Sequence, residues 1–322
     1  MPPILQPTIL PDENISFPTQ VDSSMLSTFD ACPIKFFREY VEHWSPSAKS
    51  VDLHAGGAFA HGIEAVRKGL WADGLSLEDA LTYGMREFTQ FWGDYEPPEK
   101  HPKTYGNMLL ALHDYFDHYN PQFDPLKPYI MQDGRPAIEF KFALPTDIIH
   151  PESGDPILYC GRFDLLGYFH EVLCVVDEKT SRYTPNSQTL EAYHMRGQFL
   201  GYVWAAQQHG FPVEHALVRV VVILMREFKQ LQNPVPIPNW QLERWYENMN
   251  DKVSHMVEYW KRGRWPYSYG DACSSYSGCP YMTLCTSAKP ENWIGDYTKR
   301  YWNPVAKNPT APPEEEELWT VL

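Results

Sequence analysis

Near residue 137 the apolar residues change their spacing, and that change limits the folds open to this chain. Ile138, Phe140, Phe142 and Leu144 alternate with Glu139 and Lys141, as in a strand with one buried face. Two more strand-like runs follow, ILYCGRFDLLGYF and EVLCVVDEKT. A helix is expected from about Ser187 to His209, stopped by Gly210, and ALVRVVVILM then reads as a buried strand. The order is strand, strand, strand, helix, strand.

Before that core the spacing is helical, through Phe29, Phe36, Phe37 and Tyr40 and then Phe59, Ile63, Val66 and Leu70. Ser76 opens an SLED capping-box pattern ahead of another helix. After a proline-rich break at NPVPIPN, a stripe from Leu242 through Trp245, Tyr246, Met249, Val253, Met256, Val257 and Trp260 marks a further helix. The expected organisation is an arm over 1–22, a helical lobe over 23–130, a core over 131–232, a helix and cysteine segment over 233–290, and an acidic, proline-rich tail over 291–322.

With 322 residues, 43% of them hydrophobic, the chain can bury a sizeable core. No apolar run nears the ~20 residues that span a bilayer, and MPPILQPTILPDEN lacks the basic start of a signal peptide, so no membrane association and a cytoplasmic location are expected. The net charge of -14 argues against a polycationic coat for nucleic acid, but leaves room for a local basic groove. Lys35, Arg38, Arg182, Tyr183 and Arg196 are candidate contacts to phosphates and bases.

Chemistry concentrates on the second and third strands. Residues two apart on a strand share a face, so Asp177 and Lys179 point one way and Glu178 the other. Asp164, on the preceding strand, approaches Asp177 across the hairpin, and oxygen ligands so placed suit Mg²⁺ or Mn²⁺. Each residue alone has an ordinary structural role; the specific feature is their joint order, a helical His, then GxxD, then DxK, then QxxxY.

That order, His61 in GGAFAHGIEAV, Asp164 in GRFD, Asp177 and Lys179 in VVDEKT, and Gln198 to Tyr202 on the following helix, resembles the PD-(D/E)XK nuclease superfamily, and within it the RecB- and AddB-type nuclease domains. The resemblance covers roughly residues 23 to 290. It implies an α/β (α+β) fold whose restriction-endonuclease-like core, over 131–232, has a mixed central sheet flanked by helices. It implies metal ligation by His61, Asp164, Asp177 and the Glu178 carbonyl, with Lys179 orienting the attacking water and Gln198 and Tyr202 in support. Glu139, where the family often has an acid, is a weaker candidate, since it could equally form a surface salt bridge.

CSSYSGCPYMTLC spaces Cys273, Cys279 and Cys285 evenly, and Cys32 opens an early helix. Four thiolates suit Zn²⁺ or a [4Fe-4S] cluster, and the residues alone do not choose. The resemblance implies [4Fe-4S], because AddB-type and CRISPR-associated RecB-like exonucleases use one early and three late cysteines. The spacing of the late three departs from the common form. Cys160 and Cys174 read as buried core thiols.

The leading expectation is a metal-dependent DNA exonuclease of recombination, repair or phage replication, acting on free ends or single strands. No GxxxxGK[ST] phosphate loop occurs, so any helicase or recombinase would act in trans. The alternatives are a non-catalytic module that binds nucleic acid or such a partner, and a zinc-stabilised protein with an unrelated site.

Overall fold

The computed structural model describes residues 15–305 apart from 49 and 275–277. The first part of the expected arm, up to residue 14, and the acidic end of the tail, from 306, lie outside the described residues. In chain order the elements are β1 (Gln20–Val21), α1 (Ser23–Ala31), α2 (Pro33–Phe36), β2 (Trp44–Pro46), α3 (Val51–Trp71), α4 (Leu77–Trp92), α5 (Tyr105–His118), β3 (Leu126–Pro128), β4 (Ile138–Ile149) and β5 (Pro156–Phe169). There follow β6 (Val172–Ser181), α6 (Ser187–Glu191), α7 (Gly197–Gln208), β7 (His215–Ile223), β8 (Phe228–Pro236), α8 (Asn239–Arg262), α9 (Met282–Thr286) and β9 (Tyr297–Lys299). No helix among the described residues is long and apolar enough to cross a membrane.

The chain forms two compact units, one of Met1–Ala48, Lys141–Gly161 and Glu243–Leu322, the other of Lys49–Phe140 and Arg162–Leu242. In the second unit β5 and β6 form an antiparallel hairpin, β6 pairs parallel with β7, and β7 pairs antiparallel with β8. Helices α3, α4 and α5 pack their apolar faces together, with Phe59, Ile63, Val66, Phe88, Leu112 and Tyr115 buried alongside Val221 and Ile223 of β7. This is the mixed, helix-flanked sheet expected from the resemblance.

In the first unit β2 pairs antiparallel with β9, and the Tyr281 hydroxyl donates to the Trp44 carbonyl at 2.6 Å. Trp265, buried, lies 5.3 Å from the ring of Phe37 and 5.5 Å from that of Phe36. Gly161, the first residue of the GxxD run, sits against the Phe142 ring, where a Cβ would come within 2.5 Å. A glycine is what that close approach requires.

Local chemistry explains the element ends. Ser76 caps α4 by accepting from the Asp79 N–H at 3.1 Å, as the SLED pattern predicts. Two expectations differ from what is found. The helix over 187–209 is two helices, because Arg196 adopts an extended conformation (φ -77°, ψ 118°) between the 3₁₀ turn Ala192–Met195 and α7. The proline-rich break is partly strand: Pro234 and Pro236 lie in β8, which terminates the sheet, and an edge strand tolerates residues that cannot donate to a ladder.

Helices α3 and α4 approach closely at Gly84, where a Cβ would meet Val66 Cγ2 at 2.2 Å and the Gly62 carbonyl oxygen at 2.8 Å. The backbone oxygen has no rotamer to retreat into. Gly84→Ala is therefore expected to destabilise the protein by about 1–3 kcal/mol, read as a lower urea midpoint with an unchanged m value; an unchanged midpoint would show that the helices separate without cost.

Candidate active site

The hairpin of β5 and β6 sets the centre of the site. Leu165 pairs with Val176, and one step further along Asp164 and Asp177 face each other where the ladder ends. The Glu178 N–H, which would otherwise face away from a backbone partner on β5, donates to Asp164 Oδ2 at 2.8 Å. Burial, and then the charges of Asp177, Glu178 and Glu139, push the Asp164 carboxyl well above the usual carboxylate range.

Lys179 Nζ stands 2.7 Å from Asp177 Oδ2, with about a third of the lysine side chain exposed. Burial alone would push the ammonium down, but Asp177 and Asp164 hold it above the ordinary lysine range. Burial raises the Asp177 carboxyl too, and Lys179 offsets only part of that. Although in ion-pair contact, the buried Asp177 Oδ2 receives no hydrogen bond of acceptable geometry. Gln198, in the first turn of α7, donates to the Tyr202 hydroxyl at 2.9 Å and reaches Asp177 Oδ1 at 3.4 Å.

Glu178 points to the other face, as the period-two argument predicts, and its surroundings there are buried and polar. Both Arg67 nitrogens donate to its carboxylate, one at 3.0 Å, and the Tyr115 hydroxyl donates at 3.0 Å. Arg67 and Glu178 side chains are 2% and 3% exposed. Burial raises the Glu178 carboxyl, but Arg67 outweighs it, so the group lies below the ordinary range. Arg219 of β7 extends the network, donating to Asp124 at 2.7 and 2.8 Å and lying 3.8 Å over the Tyr119 ring.

Helix α3 runs along β6, since a Cβ on Gly56 would lie 3.5 Å from Thr180 Oγ1 while Arg67 reaches Glu178. His61 falls between those two points, its ring stacked 4.5 Å from that of Phe91. Glu139 is no surface residue. It has a positive φ of 55°, pairs with Arg162 Nε at 2.7 Å, and burial lifts its carboxyl to about 7, with Glu64 adding and Arg162 offsetting. Asp164, Asp177, Lys179, Gln198 and Tyr202 are thus brought together with the Glu178 backbone. Arg38, a candidate nucleic-acid contact by sequence, is instead buried and paired with Glu42 at 2.7 Å.

No group of three or more His, Cys, Asp or Glu side chains that could hold a metal ion is found among the described residues. The donors beside the hairpin nonetheless suit a hard divalent cation in kind, since Asp164 and Asp177 are two crowded carboxylates whose mutual repulsion a cation would relieve. In the first unit the Ser268 N–H donates to Cys32 Sγ at 3.5 Å, Cys273 Sγ donates to the Ser268 carbonyl at 3.6 Å, and the Cys279 N–H donates to the Cys273 carbonyl at 2.9 Å. Burial lifts the Cys285 thiol to about 11, and the other three cysteines, acting on it electrostatically, add to that, with Arg38 opposing. Cys160 and Cys174 are buried core thiols, as expected.

Two facing carboxylates and a lysine at the end of a hairpin are groups able to hold a cation and orient water. The chain belongs to the PD-(D/E)XK nuclease superfamily, whose family model matches residues 23–286. Among curated proteins none matches. Two solved structures resemble it: one described as "Putative exonuclease" from Eubacterium rectale, 10% identical, covering 84% of this chain and 94% of that one at a TM-score of 0.47, and SSO0001, 14% identical, covering 72% and 83% at 0.31. Likenesses of that size show neither activity nor substrate.

Sequence reasoning missed Arg67, Tyr115 and Arg219. The signal was present: Arg67 follows Ile63 by four on the apolar face of α3, and Arg219 interrupts ALVRVVVILM, and a charge on a buried face needs a buried partner. Arg67→Met should therefore cost about 3–5 kcal/mol by stranding Glu178. Because its folded pKa is depressed, Glu178 stabilises the fold above its unfolded pKa, about 4.3, and this is lost as pH falls through the folded value. Glu178→Gln should accordingly flatten the stability curve below about pH 4.3; an unchanged acid limb in urea titrations would show that the pair adds nothing.

Proposed function

We propose that this protein is a Mg²⁺- or Mn²⁺-dependent DNA nuclease of the RecB/AddB-like type, acting on free ends or single strands. The reading rests on one observation above all, the convergence of Asp164, Asp177 and Lys179 at the end of the β5–β6 hairpin. Asp164, Asp177 and the Glu178 carbonyl would hold the ion, with His61 on α3 as the further ligand that the family supplies. Such an ion neutralises phosphate charge and lowers the pKa of water. Lys179, ion-paired to Asp177 yet partly open to solvent, orients a water toward phosphorus. Water adds, one ester P–O bond breaks, and the proton passes to the departing sugar oxygen. Gln198, tied to both Tyr202 and Asp177, fixes the carboxylate's rotamer.

A chain at -14 holds few phosphates outside a confined channel, which favours ends and single strands over closed duplex. Any helicase or recombinase with which it works would be a separate partner. Lys179→Ala and Asp177→Asn should abolish Mn²⁺- or Mg²⁺-dependent cleavage of linear and single-stranded DNA while the far-UV circular dichroism stays that of the folded protein. Ca²⁺ should support binding without turnover. Normal turnover by either variant, or closed duplex circles cut as fast as linear DNA, would refute the site or the substrate respectively.

Cys32, Cys273, Cys279 and Cys285 are proposed to hold a [4Fe-4S] cluster that ties α1 and α2 to the segment after α8. What supports this is the mutual electrostatic influence of the thiols and the contacts both Cys32 and Cys273 make with Ser268. Anaerobically purified protein should be brown with about four irons per chain, and Cys279→Ser should lose iron and thermal stability together. One zinc per chain and no iron under the same handling would replace the cluster with a zinc site.

A further inference from the structure

Arg196 stands apart from the other arginines near the hairpin. Arg67, Arg162 and Arg219 are each locked by a carboxylate, those of Glu178, Glu139 and Asp124, and Arg182 lies 3.9 Å from Asp52. Among the described residues Arg196 has no carboxylate within ion-pair distance. It is exposed, and its guanidinium lies 5.0 Å over the ring of Tyr193. Tyr193 is itself buried, edge-on to Phe199 at 5.5 Å. The guanidinium therefore rests on a ring that is itself packed into the core.

The location is set by the backbone. The extended conformation at Arg196 interrupts the helix two residues before Gln198, whose amide reaches Asp177 at 3.4 Å. Arg196 is close enough for its charge to act on Asp177, and Tyr193 for its hydroxyl to feel both Asp177 and Lys179. The nearest acid, Asp177, is already ion-paired to Lys179 at 2.7 Å, so the exposed guanidinium of Arg196 keeps its fork open to an anion from outside the protein. A planar guanidinium held on an aromatic ring matches two oxygens of one phosphate.

We infer that Arg196, shelved on Tyr193, grips a backbone phosphate of the nucleic acid strand next to the scissile bond, and so sets where the strand is cut. The inference rests on the nuclease reading and adds a residue and a role to it. Arg196 contacts substrate, whereas Tyr193 is a positioning residue acting through it. Neither holds the metal ion.

The test uses the full-length protein and a short fluorescent single-stranded oligonucleotide, with Mn²⁺ for turnover and Ca²⁺ for binding alone. Arg196→Ala should raise KM and Kd by about tenfold or more, and lower the slope of log K against log salt by about 0.7, the share of one single-strand phosphate. Arg196→Lys should restore the salt slope but only part of the affinity, since a lysine keeps the charge and loses the fork. Tyr193→Leu should fall between wild type and Arg196→Ala. One methylphosphonate linkage beside the cleaved bond should weaken wild type and leave Arg196→Ala unaffected. Wild-type KM, Kd and slope in Arg196→Ala would overturn the inference while leaving the nuclease reading in place, as would a loss confined to kcat. A wild-type protein that neither binds nor cleaves would overturn the nuclease reading, and this assignment with it.

Discussion

The buried pairing of Glu178 with Arg67 and Tyr115 is the constraint on which the rest of the second unit depends. Desolvating a carboxylate and a guanidinium is costly, and the cost is met only when the geometry is held and the remaining hydrogen bonds are made. Holding it fixes α3 and α5 against β6. Because side chains alternate along a strand, fixing Glu178 on one face fixes Asp177 and Lys179 on the other. One residue thus sets, from behind, the face on which Asp177 and Lys179 stand. The acid in the middle of the DEK run is an orienting group, and its electrostatics are opposite to those of its neighbours: a partner draws it down, while crowding pushes Asp164 up.

The same hairpin shows how the fold concentrates charge where it is useful. Asp164 and Asp177 face each other where backbone pairing stops, and Asp164 takes up the Glu178 N–H that the ladder no longer satisfies. A strand end with an unsatisfied donor is a natural seat for a carboxylate. Two such seats side by side store electrostatic repulsion, which a divalent cation or the Lys179 ammonium relieves.

Much of this was legible because it is periodic or local. Alternation at 138–144, the apolar runs of β5 and β6, and the SLED cap each state their structure within a few residues, and the opposed faces of Asp177 and Glu178 follow from strand geometry alone. What was not legible depends on partners distant in sequence. The buried setting of Glu139 includes an ion pair with Arg162 of β5 and the charge of Glu64 on α3, and its left-handed backbone is invisible in an alternating pattern. The prolines of β8 disguised a strand, because whether a proline is tolerated depends on which strand lies at the edge. The break at Arg196 lies inside a segment whose residues, apart from Gly197, are all acceptable in a helix.

The first unit is assembled from three separate stretches of chain, and the partners of Trp44 do not arise locally: Tyr281 hydrogen-bonds to Trp44, a residue on the far side of the whole second unit in sequence. The second unit is nearly contiguous, from 49 to 242, with one excursion. On a ribosome, which releases the chain from its N-terminus, the second unit has its full complement of residues while the first still lacks its last stretch. The residues up to Ala48 then wait, with Phe29, Phe36 and Phe37 lacking Trp265, for the time taken to synthesise the rest. During that interval the aromatic side chains are what a chaperone would meet, and the order of synthesis makes the half with the thiols the slower to mature.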